Sequence, residues 1–266
     1  MLRALIRACH PLPTVAVTSV VTACGWSVGW RWPAVVGVLL AVLLGQLSVG
    51  WSNDAIDADD DRRAGRAEKP TVAGRVTTRT LWVGAGVALV ASAAQSWHVA
   101  GWTGGSFHVA AVLLAWTYNV RLSRTVWSWL PYALAFGCVP PFLTFGLDGS
   151  APPWWLVAVF SVIGVSAHLA NALRDVASDR AAGLGGAVVR WGPVTSARVG
   201  WVLLALGTLV LAAEAAHQSV LLLVLVLAGF ISAQLYAVRS SSADAMFRGL
   251  LIAVAVDVVA VVIAAA

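Results

Sequence analysis

The sequence predicts an all-α, polytopic membrane protein, and three observations carry that reading. Apolar residues make up 60% of the chain and charged residues 11%, with a mean hydropathy of +0.85, far outside the range of a water-soluble domain. The apolar residues run in continuous Val, Leu, Ala and Gly stretches near the roughly 20 residues that a helix needs to cross a bilayer. A barrel would show alternating segments of about ten residues instead. Sixteen of the seventeen Lys and Arg residues, finally, fall on one side of an alternation between successive connections, with Arg31 as the exception.

About nine stretches qualify, read in order as 13–30, 33–53, 78–96, 107–119, 129–147, 153–173, 199–214, 218–237 and 246–264. They are read as one helical membrane domain over residues 1–266. Arg3 and Arg7 precede the first stretch, but Pro11 and Pro13 open it and no small-residue cleavage site follows, so an uncleaved first helix is expected. The first connection holds only Arg31; the second holds Arg62, Arg63, Arg66, Lys69, Arg75 and Arg79. Arg121 and Arg124 follow the fourth stretch, Arg174, Arg180, Arg190 and Arg198 follow the sixth, and Arg239 and Arg248 flank the last connection. The segments 97–106, 148–152 and 214–218 carry no Lys or Arg. The positive-inside rule then puts the N-terminus and the even-numbered connections in the cytoplasm and the C-terminus outside, for a multi-pass protein of the cell (inner or plasma) membrane. The net charge of +5 is thereby explained by topology, and no nucleic-acid partner is implied.

The three cysteines, Cys9, Cys24 and Cys138, are odd in number and widely spaced in or beside apolar segments, which points to buried thiols and not to a disulfide framework or metal cluster. Among the fourteen tryptophans, Trp26, Trp30, Trp32, Trp97, Trp102, Trp154 and Trp155 fall near the predicted outer helix ends, where amphipathic rings favour the interface. Trp116, Trp127 and Trp129 fall near the cytoplasmic side, as cavity or interface residues. His168 reads as a satisfied buried histidine or a cavity residue, and Asp257 as a lone intramembrane carboxylate.

The chemistry concentrates elsewhere. Of twelve acidic residues, Asp54, Asp57, Asp59, Asp60, Asp61, Glu68, Asp175 and Asp179 crowd into two predicted cytoplasmic connections. Asn53, Asp57, Asp61 and Arg62 recur as Asn171, Asp175, Asp179 and Arg180 at a constant offset of 118 residues, the mark of an internal repeat. Positions i, i+4 and i+8 lie along one stripe of a helix, so each motif would present a row of oxygen ligands. Carboxylates massed at a helix C-terminus repel one another and meet the negative end of the dipole. A hard divalent cation resolves that conflict, and magnesium is commonly held by a few carboxylates plus substrate phosphates. Two such rows would clamp a diphosphate through Mg2+. The interleaved Arg62, Arg63, Arg66, Lys69, Arg75, Arg174 and Arg180 add forks and point charges that suit phosphate oxygens.

At these residues the chain resembles the UbiA superfamily of intramembrane prenyltransferases. Asn53, Asp54, Asp57 and Asp61 fill its N-D-x-x-D-x-x-x-D signature, Asp175 and Asp179 its D-x-x-x-D signature. Lys69-Pro70 through Gly74-Arg75 looks like the basic-Pro-x-x-x-Gly-Arg segment that follows the first. The stretch from Tyr118 and Asn119 to Arg121 and Arg124 matches the family plan after helix four. The resemblance implies a bundle around a central cavity with a cytoplasmic cap and a lateral opening for a lipid substrate. Its partners would be a prenyl diphosphate and an acceptor that is a small molecule or a lipid. It implies metal and catalytic roles for Asp54, Asp57, Asp61, Asp175 and Asp179, joined as metal ligand by Asn53. Substrate contacts would come from Asn53, Asn171, Lys69, Arg62, Arg75, Arg121, Arg124, Arg174 and Arg180. Tyr118 would shield an allylic cation or position the acceptor. Many relatives carry a lysine four or five residues after that tyrosine. This chain has Leu122 and Ser123 there, and neither Arg121 nor Arg124 can replace lysine as a base. Rival readings are a terpene cyclase of the same superfamily, a prenyl-phosphate phosphoribosyltransferase, and a divalent-cation transporter or non-catalytic diphosphate binder. Transport fits less well, because transporter ion sites favour broken helices at mid-membrane. The oligomeric state leaves no sequence signal.

Overall fold

The structure, a computed structural model, describes residues 1–181, 183, 185–218 and 220–239, together with 248, 249, 252, 253, 255, 256 and 259. The predicted helix 246–264 therefore lies largely outside the described residues and Asp257 wholly so, as do the side chains of Arg174, Asp175 and Arg239. The described residues form helices and turns without a strand. Among the described residues, six helical stretches are long and apolar enough to cross a membrane: Pro11–Val28, Ala34–Ile56, Thr78–Val120, Leu130–Leu147, Trp154–Leu173 and Pro193–Glu214. The chain divides into two compact units, Met1–Arg121 with Pro141–Ala151, and Leu122–Pro140 with Pro152–Ala266.

The first unit begins with a short helix α1 (Leu2–Ala8), α2 (Pro11–Val28) and α3 (Ala34–Ile56). Pro11 sits at the first position of α2, where its missing N–H costs no hydrogen bond. Gly29, at φ 120°, ends α2, with Gly29 N–H donating to Trp26 O at 3.2 Å and Trp30 N–H to Gly25 O at 2.9 Å. That is the Schellman pattern, which brings the following residue back onto the helix. It explains why Trp30 is not at the interface as its position suggested: it is 3% exposed, and its Nε1 donates to Leu143 O at 2.9 Å.

After α4 (Ala58–Arg63) comes α5 (Thr78–Val120), capped by the Thr77 hydroxyl, which accepts from Thr80 N–H at 3.0 Å. Twelve residues of straight helix span about 18 Å, yet Ser96 Oγ and His108 Nδ1 are 2.7 Å apart. The chain reverses at Gly101, whose φ of 63° and ψ of −175° belong to a region that essentially only glycine enters. Gly105 lets the two arms touch, since a Cβ there would lie 2.7 Å from Ser96 O. The predicted helices 78–96 and 107–119 are the two arms of this hairpin. Gly101→Val is expected to destabilise the protein by about 1–3 kcal/mol, read as a lower unfolding temperature in detergent, whereas Gly86→Ala, with open space around its Cβ, should not.

Hydroxyls and small residues join α3 to α5. Ser48 Oγ donates to Ala85 O and Ser92 Oγ to Ala41 O, each at 2.9 Å. This is membrane-type packing, in which small side chains admit close backbones and hydroxyls bond across helices. Trp116 joins it, its Nε1 donating to Ser48 Oγ at 3.0 Å.

The second unit contains α6 (Leu130–Gly137), the start of α7 (Val139–Leu147), α8 (Trp154–Ala181), α9 (Ala187–Trp191), α10 (Pro193–Gln218) and α11 (Val220–Arg239). The span predicted as 129–147 breaks at Cys138, because Pro140 and Pro141 offer no N–H to the carbonyls of Phe136 and Gly137. Its core gathers Leu169, Ala170, Leu173, Val188, Ala197 and Leu204. His168 belongs to it as a satisfied histidine, 3.0 Å from Ser128 Oγ and tilted against Tyr132, with ring centroids 4.7 Å apart. All three cysteines are free, Cys9 and Cys24 buried and Cys138 half-buried. Burial also pushes the Cys9 thiol up, further from a reactive thiolate.

Candidate functional site

The two Asp motifs belong one to each unit, and the helices carry them differently. In the first unit α3 ends at Ile56, Asp57 forms the junction, and α4 resumes at Ala58, with Asp57 N–H donating to Asn53 O and Asp61 N–H to Asp57 O at 2.9 and 2.8 Å. The helical sense thus continues through the motif. At about 100° per residue, positions 54 and 61 are separated by only about 20° around the axis. Both carboxylates are buried, Asp54 at 1% and Asp61 at 2% exposure, while Asp57 is half-buried. The acidic pair the fold closes over is therefore Asp54 and Asp61, where the sequence spacing had emphasised the row 53, 57 and 61.

Lys69, the only lysine in the chain, returns to this pair. The segment after α4 folds back through successive turns, Arg66 N–H to Asp61 O, Lys69 N–H to Arg66 O and Arg75 N–H to Pro70 O, each at 3.0 Å. Gly65 and Gly74 supply positive φ angles along it. Lys69 Nζ then stands 2.6 Å from Asp54 Oδ1 and 3.8 Å from Asp61 Oδ2. Arg66 Nη1 donates to Asp61 Oδ1 at 3.1 Å. The second carboxylate oxygens, Asp54 Oδ2 and Asp61 Oδ2, are buried without a hydrogen-bond partner. Buried oxygens of this kind are rare in native proteins and call for an ion or water.

One residue that sequence reasoning passed over completes the surroundings of Asp54. His10 Nε2 lies 3.0 Å from Asp54 Oδ1. It sits in the elbow between α1 and α2, pressed onto α3: Trp51 Nε1 donates to Leu5 O at 2.9 Å, Thr14 Oγ1 to Cys9 O at 2.7 Å, and a Cβ on Gly50 would lie 2.5 Å from Cys9 O. A lone histidine beside a proline carries no spacing signal in the sequence.

Asn53 faces a different partner. Its Nδ2 lies 3.4 Å from Asn119 Oδ1, and Asn119 Nδ2 donates to Val49 O and Ser52 Oγ at 3.0 Å each. Asn119 thereby locks the end of α5 onto α3 and holds the neighbouring Tyr118, which is half-buried. Arg62 and Arg63 pair outward with Asp59 at 2.5 Å and Asp60 at 3.1 Å. Such exposed pairs contribute little. Arg75, Arg121 and Arg124 are exposed.

In the second unit the motif lies on an unbroken helix, because α8 runs on to Ala181 past the predicted end at 173. Asn171, Asp175 and Asp179 therefore share one stripe of α8. Asn171 and Arg180 are exposed and Asp179 is half-buried.

As donors, the carboxylates of Asp54 and Asp61 fit magnesium: they are hard oxygens, buried, with one oxygen of each unsatisfied. No three His, Cys, Asp or Glu side chains converge among the described residues, so further ligands of such an ion would be amide, water or substrate oxygens, as magnesium accepts.

Comparison with known proteins bears on the family and the fold. The sequence pattern of the UbiA prenyltransferase family matches residues 12–255. A UbiA homolog from Archaeoglobus fulgidus, solved with GPP and Mg2+ bound, superposes with a TM-score of 0.76 at 18% identity, covering 98% of this chain and 99% of that one. An apo UbiA homolog from Aeropyrum pernix K1 gives 0.69 at 18% identity over 92% and 97%. A digeranylgeranylglyceryl phosphate synthase gives 0.74 at 13% identity over 99% and 98%. At these identities the likeness is one of fold. In sequence, the protoheme IX farnesyltransferase of Clavibacter michiganensis subsp. michiganensis is 27% identical over 154 residues, 57% of this chain and 49% of that protein. The chain thus spans about half the length of the curated relatives it matches.

Proposed function

The chain belongs to the UbiA prenyltransferase family, and from that membership we propose that it is a magnesium-dependent intramembrane prenyltransferase. It moves a (poly)prenyl group from a prenyl diphosphate to an aromatic, quinone-precursor or lipid-like acceptor. The observation that carries the reading is the buried Asp54–Asp61 pair bridged by Lys69, with one oxygen of each carboxylate unsatisfied. Support comes from the homolog bound to GPP and Mg2+ and, for a farnesyl-type transfer, from the protoheme IX farnesyltransferase relative.

Magnesium, when bound, supplies positive charge to the diphosphate as it leaves the allylic carbon. Asp54 and Asp61, with Asn53 and Asp57, would hold it on the first motif, and Asp175 and Asp179 on the second. Lys69 and Arg66 already stand beside these carboxylates and would turn their N–H donors to the phosphate oxygens, where negative charge develops. Arg62 and Arg75 beside the first motif, and Asn171, Arg174 and Arg180 beside the second, would be further phosphate donors. Tyr118, held by its neighbour Asn119, would offer a π face to the electron-poor prenyl carbon while the acceptor approaches, with Arg121 and Arg124 nearby in sequence orienting an anionic acceptor. The distribution of Lys and Arg supports an active site toward the cytoplasm.

Incubating purified protein with magnesium, isoprenyl diphosphates of several lengths and a panel of acceptors, protoheme IX among them, tests the reading by mass spectrometry. A prenylated acceptor is expected. A cyclic hydrocarbon formed without acceptor would replace the transferase with a cyclase. A ribosylated prenyl phosphate, formed when a phosphosugar donor is supplied, would replace it with a phosphoribosyltransferase.

A further inference from the structure

We infer that His10 is a positioning residue for Asp54: its imidazole N–H fixes the buried carboxylate so that the second oxygen is presented to the metal. The inference rests on the proposed metal site, and three observations meet in it. The first is conformational. His10 has φ 55° and ψ 71°, the one non-glycine residue with positive φ among the described residues. Such backbone persists only where the surroundings over-determine it, and it clusters at functional sites. Here the surroundings are the contact of Cys9 with Gly50 and the anchoring of α1 by Trp51.

The second observation is the hydrogen bond. A carboxylate oxygen only accepts, so at 3.0 Å the Nε2 atom carries the hydrogen and Asp54 Oδ1 receives it. The third is the asymmetry that follows. Lys69 and His10 both act on Oδ1, while Oδ2 is buried with no partner. A carboxylate held by one oxygen and left free at the other is a preorganised metal ligand, and partners of this kind tune ligand orientation and affinity. The two donors are not equivalent. Lys69 also faces Asp61 and would be drawn toward a diphosphate. His10 pairs with Asp54, so it holds the carboxylate when Lys69 turns away.

The test separates the backbone from the donor in the full-length protein. His10→Gly suits the positive φ and removes the N–H; His10→Asn tolerates the same φ with an amide too short to reach; His10→Gln restores a donor at the reach of Nε2. Mn2+ binding, followed by electron paramagnetic resonance in the presence of inorganic diphosphate, reads the site without turnover. His10→Gly and His10→Asn are expected to unfold at or above the parent's temperature and to bind Mn2+ about 10–100-fold more weakly, with His10→Gln close to the parent. The magnesium needed for half-maximal diphosphate release should shift in parallel. Parent-like Mn2+ binding in His10→Gly or His10→Asn would overturn the inference, as would an equal loss in His10→Gln and His10→Gly with all variants folded. A parent that binds Mn2+ but turns over no prenyl diphosphate would contradict the proposed function and leave the His10 comparison to be decided by binding alone.

Discussion

Asp54→Asn is expected to lower turnover about 10²–10³-fold, the usual scale for losing one preorganised electrostatic partner of a developing anion, while the protein still accumulates folded in membranes. Asparagine keeps the volume and the acceptor that Lys69 and His10 use, so packing survives. The charge disappears, and with it the attraction for a divalent ion. Asp54 is 1% exposed and its Oδ2 is unsatisfied, so the charge that is lost is a buried one. The same size of loss is expected for Asp175→Ala on the second motif. Diphosphate release measured on purified variants, beside their unfolding temperatures, decides both. Full activity in Asp54→Asn would remove Asp54 from the machinery.

Lys69→Met has a different signature. The substitution keeps most of the apolar stem and deletes the ammonium that stands 2.6 Å from Asp54 and 3.8 Å from Asp61. Two buried carboxylates are left with Arg66 and His10 alone. Breaking a buried ion pair from one side costs about 3–5 kcal/mol; Lys69 keeps some exposure, which places the expected loss near the lower end. A divalent cation offsets the same repulsion, so magnesium should raise the unfolding temperature of Lys69→Met more than that of the parent. Turnover should fall as well, through the lost diphosphate contact. Equal stability of the two proteins with and without magnesium would show that Lys69 does not balance the acidic pair.

How much of this was legible in the sequence follows from the reach of each interaction. Helical spans, the two Asp motifs and Lys69 were readable because apolar run length, carboxylate spacing and a unique lysine are local signals. The choice of Asp54 and Asp61 over Asp57 as the buried pair was not, since it depends on which side of the helix meets Lys69 after the chain has turned back at Gly65. His10 was invisible for the same reason: its role arises from the elbow pressed against Gly50, a contact 41 residues away in sequence (Cys9 to Gly50). The hairpin at Gly101 left a trace in the glycines 101, 104 and 105, but only the Ser96–His108 contact shows the chain reversing there. Trp30 was misplaced because its tryptophan chemistry suits an interface equally well, and the cap at Gly29 decided otherwise. The extension of α8 was masked by its charged residues, which end an apolar span without ending a helix.

The most direct test of the account is diphosphate release from isoprenyl diphosphates by the purified parent, with magnesium and after its removal by a chelator. Release that requires magnesium, and that is lost in Asp54→Asn, is the predicted result. Release that persists without any divalent cation, or none with any chain length and acceptor, would contradict it.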